Sequence, residues 1–243
     1  MRFISARRWK QFSLGTAFTF LTLLCVLFGP WADGAHRQRK AVAAISRLGG
    51  NVSYRGEVWH DFRRPSWIPI SLKNFIGRDF FDPVTIVSLS SEEFHDLDLV
   101  CLEDLPDVEE IWIPESITDA GLDHLRGMTK LEQVHLRGAG FTDAGLRKLR
   151  GFRGLRSLSS KNAKFTDEGL RELSQHSKLQ DLHLYADTHR SPITDAGIRH
   201  LQKLKNLEWL ILDADKISER AVKDLQQALP HCEIWIHPPF EDE

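Results

Sequence analysis

A six-residue motif recurs five times in this chain and limits what the chain can fold into. Ile117-Thr118-Asp119-Ala120-Gly121-Leu122 returns as Phe141-Thr142-Asp143-Ala144-Gly145-Leu146, Phe165-Thr166-Asp167-Glu168-Gly169-Leu170 and Ile193-Thr194-Asp195-Ala196-Gly197-Ile198. A weaker form, Ile217-Ser218-Glu219-Arg220-Ala221-Val222, closes the series, and the starts are 24, 24, 28 and 24 residues apart. A repeat of this length is one supersecondary unit that cannot bury its own apolar surface, so the copies must stack.

Residues 117–140 show what one unit contains. Thr118 suits a helix N-cap, and Asp119 places negative charge at the positive end of the helix dipole. Leu122, Leu125 and Met128 form an apolar stripe on a helix of two to three turns. Leu131, Val134 and Leu136 follow, and the Val-x-Leu alternation is that of a short strand with one buried face. Stacked units therefore give parallel strands on one side, helices on the other, and one continuous core.

The same strand register extends in both directions. Val84, Val87 and Leu89 supply a first strand, and Leu105, Val108, Ile111 and Ile113 a second that follows a segment without the motif. Beyond Leu131, Val134 and Leu136, the positions are Leu155, Leu158 and Ser160; Leu179, Leu182 and Leu184; Leu207, Leu210 and Leu212; and Ile234 and Ile236. That makes seven rungs.

The TDAGL motif, the LxxL that follows it and the LxxLxL strand resemble leucine-rich repeats of the RNI-like, F-box-associated type over roughly 84–236. The resemblance implies an α/β right-handed solenoid, a horseshoe arc with parallel strands concave and helices convex. It also implies a domain that binds a protein or other macromolecule without catalysis. One position departs from the family: Ala139, Ala163, Asp187 and Asp215 stand where it usually has Asn, Cys or Thr. No F-box precedes the repeats, so substrate recognition in a ubiquitin-ligase-like assembly is the alternative function.

The N-terminal part is organised differently. After a basic tail, 1–10, residues 11–32 carry no charge and are long enough for a helix crossing a bilayer. Trp9 and Trp31 bracket the stretch at interfacial positions. The expectation is an uncleaved single-pass anchor with no cleavage of a signal peptide, the rival reading, near Ala32-Asp33-Gly34. Basic residues flank both ends, Arg2, Arg7, Arg8 and Lys10 before and Arg37, Arg39 and Lys40 after. The N-terminal amine and Asp33 tip the balance towards repeats on the extracytoplasmic side. The opening RRWxQFSL, the apolar span and the basic helix after it also resemble membrane-anchored repeat proteins of planctomycete bacteria.

Residues 33–48 form a juxtamembrane helix with Ala41, Val42, Ala44, Ile45 and Leu48 on one face, ended by Gly49-Gly50. It lies either on the headgroups or against the domain. The aromatic-rich segment 49–83, with Ser71 as an N-cap and Ile70 and Phe75 as a staple, caps the solenoid of 84–243. At the other end Pro238 and Pro239 cannot donate to a further strand, and Glu241-Asp242-Glu243 adds charge.

Function is sought on the strand residues that alternate with the buried ones. They form three columns: Ile86, Glu110, Gln133, Ser157, Asp181, Trp209, Glu233; then Ser88, Trp112, His135, Ser159, His183, Ile211, Trp235; then Ser90, Pro114, Arg137, Lys161, Tyr185, Asp213, His237. Core packing does not demand aromatics there, so Trp112, His135, Arg137, Tyr185, Trp209 and Trp235 are the candidate partner-binding residues. The opposing view packs the tryptophans on the cap or the tail.

Ser159, His183 and Asp181 make a conceivable hydrolase set, but strand N–H groups are committed to the ladder and leave no oxyanion donors. No cofactor is expected. No metal site is either, because His135 and His183 are two rungs, roughly 10 Å, apart. Cys25 lies in the apolar span and Cys101 and Cys232 in different repeats, with no CxxC, so the three cysteines form no framework. A net charge of -2 implies no global attraction to nucleic acid. Locally, 94–116 is acidic and 141–164 is basic, which reads as solvated helix faces. The four extra residues of the long repeat fall in 185–192, at a rim where loops carry contacts.

Overall fold

The computed structural model describes residues 14–55, 77–138, 140–162, 164–185 and 192–237. Eight strands form one sheet in chain order. They are β1 (Asn51–Tyr54), β2 (Val84–Ser88), β3 (Glu110–Ile113), β4 (Gln133–Arg137), β5 (Ser157–Lys161), β6 (Asp181–Tyr185), β7 (Trp209–Asp213) and β8 (Glu233–His237). From β2 to β8 every neighbour pair is parallel, so the seven rungs are present. β1 is an eighth strand that the repeat pattern does not contain. It pairs antiparallel to β2 and covers the first rung.

The helical layer is less uniform than the motif implies. α2 (Asp143–Leu149), α3 (Asp167–Leu173), α4 (Asp195–Leu201) and α5 (Glu219–Ala228) are α-helices, but Asp96–Asp104 and Gly121–Gly127 are 3₁₀ helices. The expected α-helix capped by Thr118 is therefore corrected. Leu122 and Leu125 are buried in the second of these 3₁₀ helices and Met128 at its C-cap, as their equivalents are in α2, α3 and α4. Thr142, Thr166 and Thr194 do cap α-helices, each hydroxyl accepting the backbone N–H two residues on at 3.2 Å.

Those hydroxyls do a second job. Thr142 donates its O–H to Asp119 of the preceding repeat at 2.6 Å, and the other oxygen of that carboxylate accepts the Thr142 N–H at 3.0 Å. The same two bonds join Asp96 to Thr118, Asp143 to Thr166, Asp167 to Thr194 and Asp195 to Ser218. Glycine belongs to the same device, since a Cβ at Gly145 would collide with the Asp119 carboxylate, as one at Gly169 would with Asp143. The motif is thus a polar ladder linking repeats. It lies away from the turn position where the family usually has one, of which Ala139, Ala163 and Asp187 are outside the described residues. Phe94-His95-Asp96 proves to be a hidden copy of the motif, because Asp96 starts the ladder.

α1 (Leu14–Arg47) is a single helix that contains Pro30, so no break separates 11–32 from 33–48. Ala41 and Ile45 are buried in the same apolar cluster as the repeats. Gln38 holds both sides of the turn before β2, donating to the Asp82 carbonyl at 2.8 Å and accepting the Val84 N–H at 3.3 Å. Trp31 packs on Phe80 with ring centroids 3.9 Å apart. Of the two places open to segment 33–48, it occupies the one against the domain.

Among the described residues no helix is long and apolar enough to cross a membrane. The expected anchor lies partly outside them: 11–13 are not described, and side chains of α1 are described only from Gly29 onward. The tail 1–10, the N-cap Ser71 with the staple of Ile70 and Phe75, residues 186–191 of the long loop and the C-terminal 238–243 also lie outside the described residues.

Candidate partner-binding face

Strand pairing fixes the open face of the sheet. Glu110, Gln133, Ser157, Asp181, Trp209 and Glu233 stand in register, as do Trp112, His135, Ser159, His183, Ile211 and Trp235. Arg137, Lys161 and Tyr185 are aligned beside them. The six candidate residues therefore share one face, but they divide into two groups.

The first group is a packed cluster on β3 and β4. The Trp112 and His135 rings stack 3.7 Å apart at 13°, and the Arg137 guanidinium lies 5.9 Å from the centre of the Trp112 ring. Trp112 Nε1 donates to Glu110 at 2.6 Å, and His135 Nε2 sits 3.5 Å from the same carboxylate oxygen. The His135 contact, with help from the indole N–H, holds the Glu110 carboxyl below its usual range despite burial. Trp112 is thus half-buried, where the sequence suggested a freely presented ring. Glu110 is a site residue that sequence reasoning left in its column, although its Glu-x-Trp spacing recurs in β8.

The second group is open. Tyr185, Trp209 and Trp235 are 37%, 45% and 48% exposed on β6, β7 and β8. Trp235 repeats the clamp of Trp112, donating Nε1 to Glu233 at 2.9 Å. Between the groups, Arg137 and Lys161 face one another across β4 and β5, both exposed. Like charges directly opposite on a sheet repel, so this pair gains most from an anionic group of a partner.

The hydrolase set is aligned but not assembled. Ser159 and His183 are register partners with Asp181 two residues away, yet no hydrogen bond joins any two of them among the described residues. His183 Nε2 is buried without a hydrogen-bond partner among the described residues, and burial lowers the His183 pKa and raises that of Asp181. A nucleophile needs a bonded base, and this serine has none. Among the described residues no group of three His, Cys, Asp or Glu is placed to hold a metal.

Most of the acidic stretch is committed to local contacts. Glu109 pairs with Arg55 at 2.8 Å, Glu103 meets His124 at 2.8 Å, Asp107 meets Lys130, and Asp96 serves the ladder. In the basic stretch Arg150 reaches the buried Glu172, and Arg156 pairs with Glu132 at 3.2 Å. Cys101 and Cys232 are free thiols, and burial pushes both up to about 11.

Fold and face together define an α/β leucine-rich-repeat solenoid with an aromatic face on its sheet. No protein-family model matches the chain, and no curated protein does. Among solved structures the chain is similar to an internalin from Listeria monocytogenes, at 22% identity and a TM-score of 0.41. That match covers 56% of this chain and 36% of the internalin, so this chain spans about a third of its length. It is also similar to the structure of the yeast Rad7 and Elc1 complex, at 10% identity and a TM-score of 0.37 over 94% of this chain and 74% of that one. A leucine-rich-repeat protein of Leptospira interrogans matches at 14% identity and a TM-score of 0.27 over 56% and 50% of the two chains.

Proposed function

We propose that this chain is a membrane-anchored, non-catalytic scaffold that binds a protein partner through the concave face of its repeats. One observation carries the reading: Tyr185, Trp209 and Trp235 are large and exposed on the same open face of three consecutive strands, each at a different register position, and the other faces of those strands are already buried. Exposed aromatics beside arginine are the side chains that dominate binding energy at protein interfaces. The Arg137–Lys161 pair supports a partner with acidic groups near the Trp112 cluster. A pull-down with the chain from Gly29 onward, followed by affinity measurement, tests this. Trp209→Ala should weaken binding by about 2 kcal/mol or more with the melting temperature unchanged. Unchanged affinity for Trp209→Ala, Tyr185→Ala and Arg137→Ala would end the proposal.

The anchor is part of the same reading. The uncharged sequence 11–32 supports it, as does the run of α1 from Leu14 into the domain, which would couple a span directly to the repeats. The repeats then lie on the extracytoplasmic side. Carbonate-washed membranes should retain the full chain, and a mature protein beginning near Ala35 would replace the anchor with a cleaved signal peptide. A reporter fused after His237 tests the orientation.

A further inference from the structure

The middle of the open face is built from small and basic side chains. On β5 the residues facing out are Ser157, Ser159 and Lys161. Ser159 stands in register between His135 on β4 and His183 on β6, and Lys161 stands between Arg137 and Tyr185. Neighbouring strands lie about 4.8 Å apart, so a serine between two imidazoles leaves a hollow one side chain wide. Arg137 and Lys161 border it at one end, and Ser157 and Asp181 at the other.

The two imidazole walls are held differently. His135 is fixed on its outer side, where Trp112 stacks at 3.7 Å and a Glu110 oxygen lies 3.5 Å from Nε2. His183 meets the Tyr185 ring edge-on at 6.2 Å, and its Nε2 is buried with no hydrogen-bond partner among the described residues. A charged imidazole carries two N–H donors, and this one has nothing to receive the second. Burial accordingly lowers the His183 pKa from 6.5, with Asp181 opposing the shift and His135 adding to it. The other charged groups on the strands beside it are Lys161 on β5 and the buried Asp213 on β7. Arg137 and Lys161 are both exposed, and neither makes an ion pair among the described residues.

We propose that this hollow seats a carboxylate of an acidic protein segment, over Ser159 and between the two histidines, and that seating it draws a proton onto His183. The inference rests on the partner-binding reading and gives the chemistry of the partner at one point of that face. A carboxylate has two acceptor oxygens, so it can bridge Arg137 and Lys161 and end their mutual repulsion. The Ser159 hydroxyl supplies a further donor from the floor. The same negative charge stands beside His183 and favours the charged ring. Coupling of this kind is reciprocal, so the proton strengthens carboxylate binding by the same factor. A nucleic acid fits less well. Its phosphates call for cations along several rungs, whereas Glu110 and Asp181 flank the two cations present here.

The test is isothermal titration calorimetry of the full chain in non-ionic detergent micelles at low salt, with an oligo-glutamate peptide as the probe. Circular dichroism checks the folding of each variant. Titrations at about pH 6.5 in two buffers of different ionisation enthalpy measure the protons taken up on binding. The native chain should show net uptake and bind about fivefold more tightly at roughly pH 5.5 than at roughly pH 7.5. His183→Gln and His183→Asn should each abolish the uptake and flatten the pH dependence. Arg137→Gln and Lys161→Gln should each weaken binding by about fivefold while uptake persists. A probe that does not bind overturns the proposal and leaves the aromatic reading to its own assay, where Trp209→Ala is scored on a captured partner. Uptake that survives in both His183 variants also overturns it, because the proton then goes elsewhere. So does an oligothymidylate that binds as tightly as the peptide.

Discussion

The Thr166 hydroxyl donates to Asp143 of the preceding repeat at 2.6 Å, and the Thr166 N–H donates to the other oxygen of the same carboxylate at 2.9 Å. Because the hydroxyl also caps α3, one threonine closes a helix start and joins two repeats. Asp143→Ala removes both inter-repeat bonds and leaves a capping group half-unsatisfied. It should cost about 2–4 kcal/mol in urea unfolding, since hydrogen bonds to charged groups contribute about 1.5–3 kcal/mol each and are not additive here. Glu219 occupies the aspartate position in the last described repeat, joins no later threonine or serine among the described residues, and its side chain is 94% exposed. Glu219→Ala should leave stability within about 0.5 kcal/mol. Equal losses at the two positions would mean that the ladder contributes nothing.

Ser160 stands where the other rungs place leucine or isoleucine. It is 1% exposed between Leu136 and Leu184, and its hydroxyl has no hydrogen-bond partner among the described residues. A buried hydroxyl left unpaired costs about 1–3 kcal/mol. Ser160→Ala should therefore raise the unfolding free energy by roughly 1 kcal/mol, read from the urea midpoint at unchanged slope. A loss of stability would show that the hydroxyl is paired in solution.

His176 ends the buried stripe of α3, where Met128, Phe152 and Leu204 end theirs. Burial lowers its pKa below the ordinary 6.5, a hydrogen bond to the Phe152 backbone opposes this, and Arg150 and Glu172 act in opposite directions. The folded state thus prefers the neutral ring. The stability this gives is fully present above pH 6.5 and is lost as pH falls towards the lowered folded value. His176→Leu should flatten that part of the stability–pH curve, while His183, also lowered by burial, keeps its own contribution in both proteins. Parallel curves for the two proteins would assign the loss elsewhere.

Ala41 and Ile45 are 2% and 0% exposed, so the core begins inside α1 and not at the repeats. A chain starting at Gly49 loses both side chains and the Gln38 bonds, whereas one starting at Gly29 keeps them. The shorter chain should unfold at least about 3 kcal/mol more easily, as expected for deleting buried aliphatic side chains. Equal urea midpoints would show that α1 rests on the domain without stabilising it.

The sequence alone carried the repeat, the strand register and the three columns of the open face. The reason is periodicity: a two-residue alternation has one buried face, and a repeat of 24 residues forces every copy to bury the same positions. The role of the motif's polar residues was not legible. Asp119 reads as a dipole partner of its own helix, and only the stacking distance between repeats reveals Thr142 as the group it holds. Nor could spacing show that Trp112 is packed against His135 while Trp209 is open, since both occupy the same kind of strand position. Local pattern fixes which way a side chain points. What it meets there depends on the neighbouring rung, and for α1, which the sequence divided at residue 32, on a domain face that exists only once the repeats have stacked.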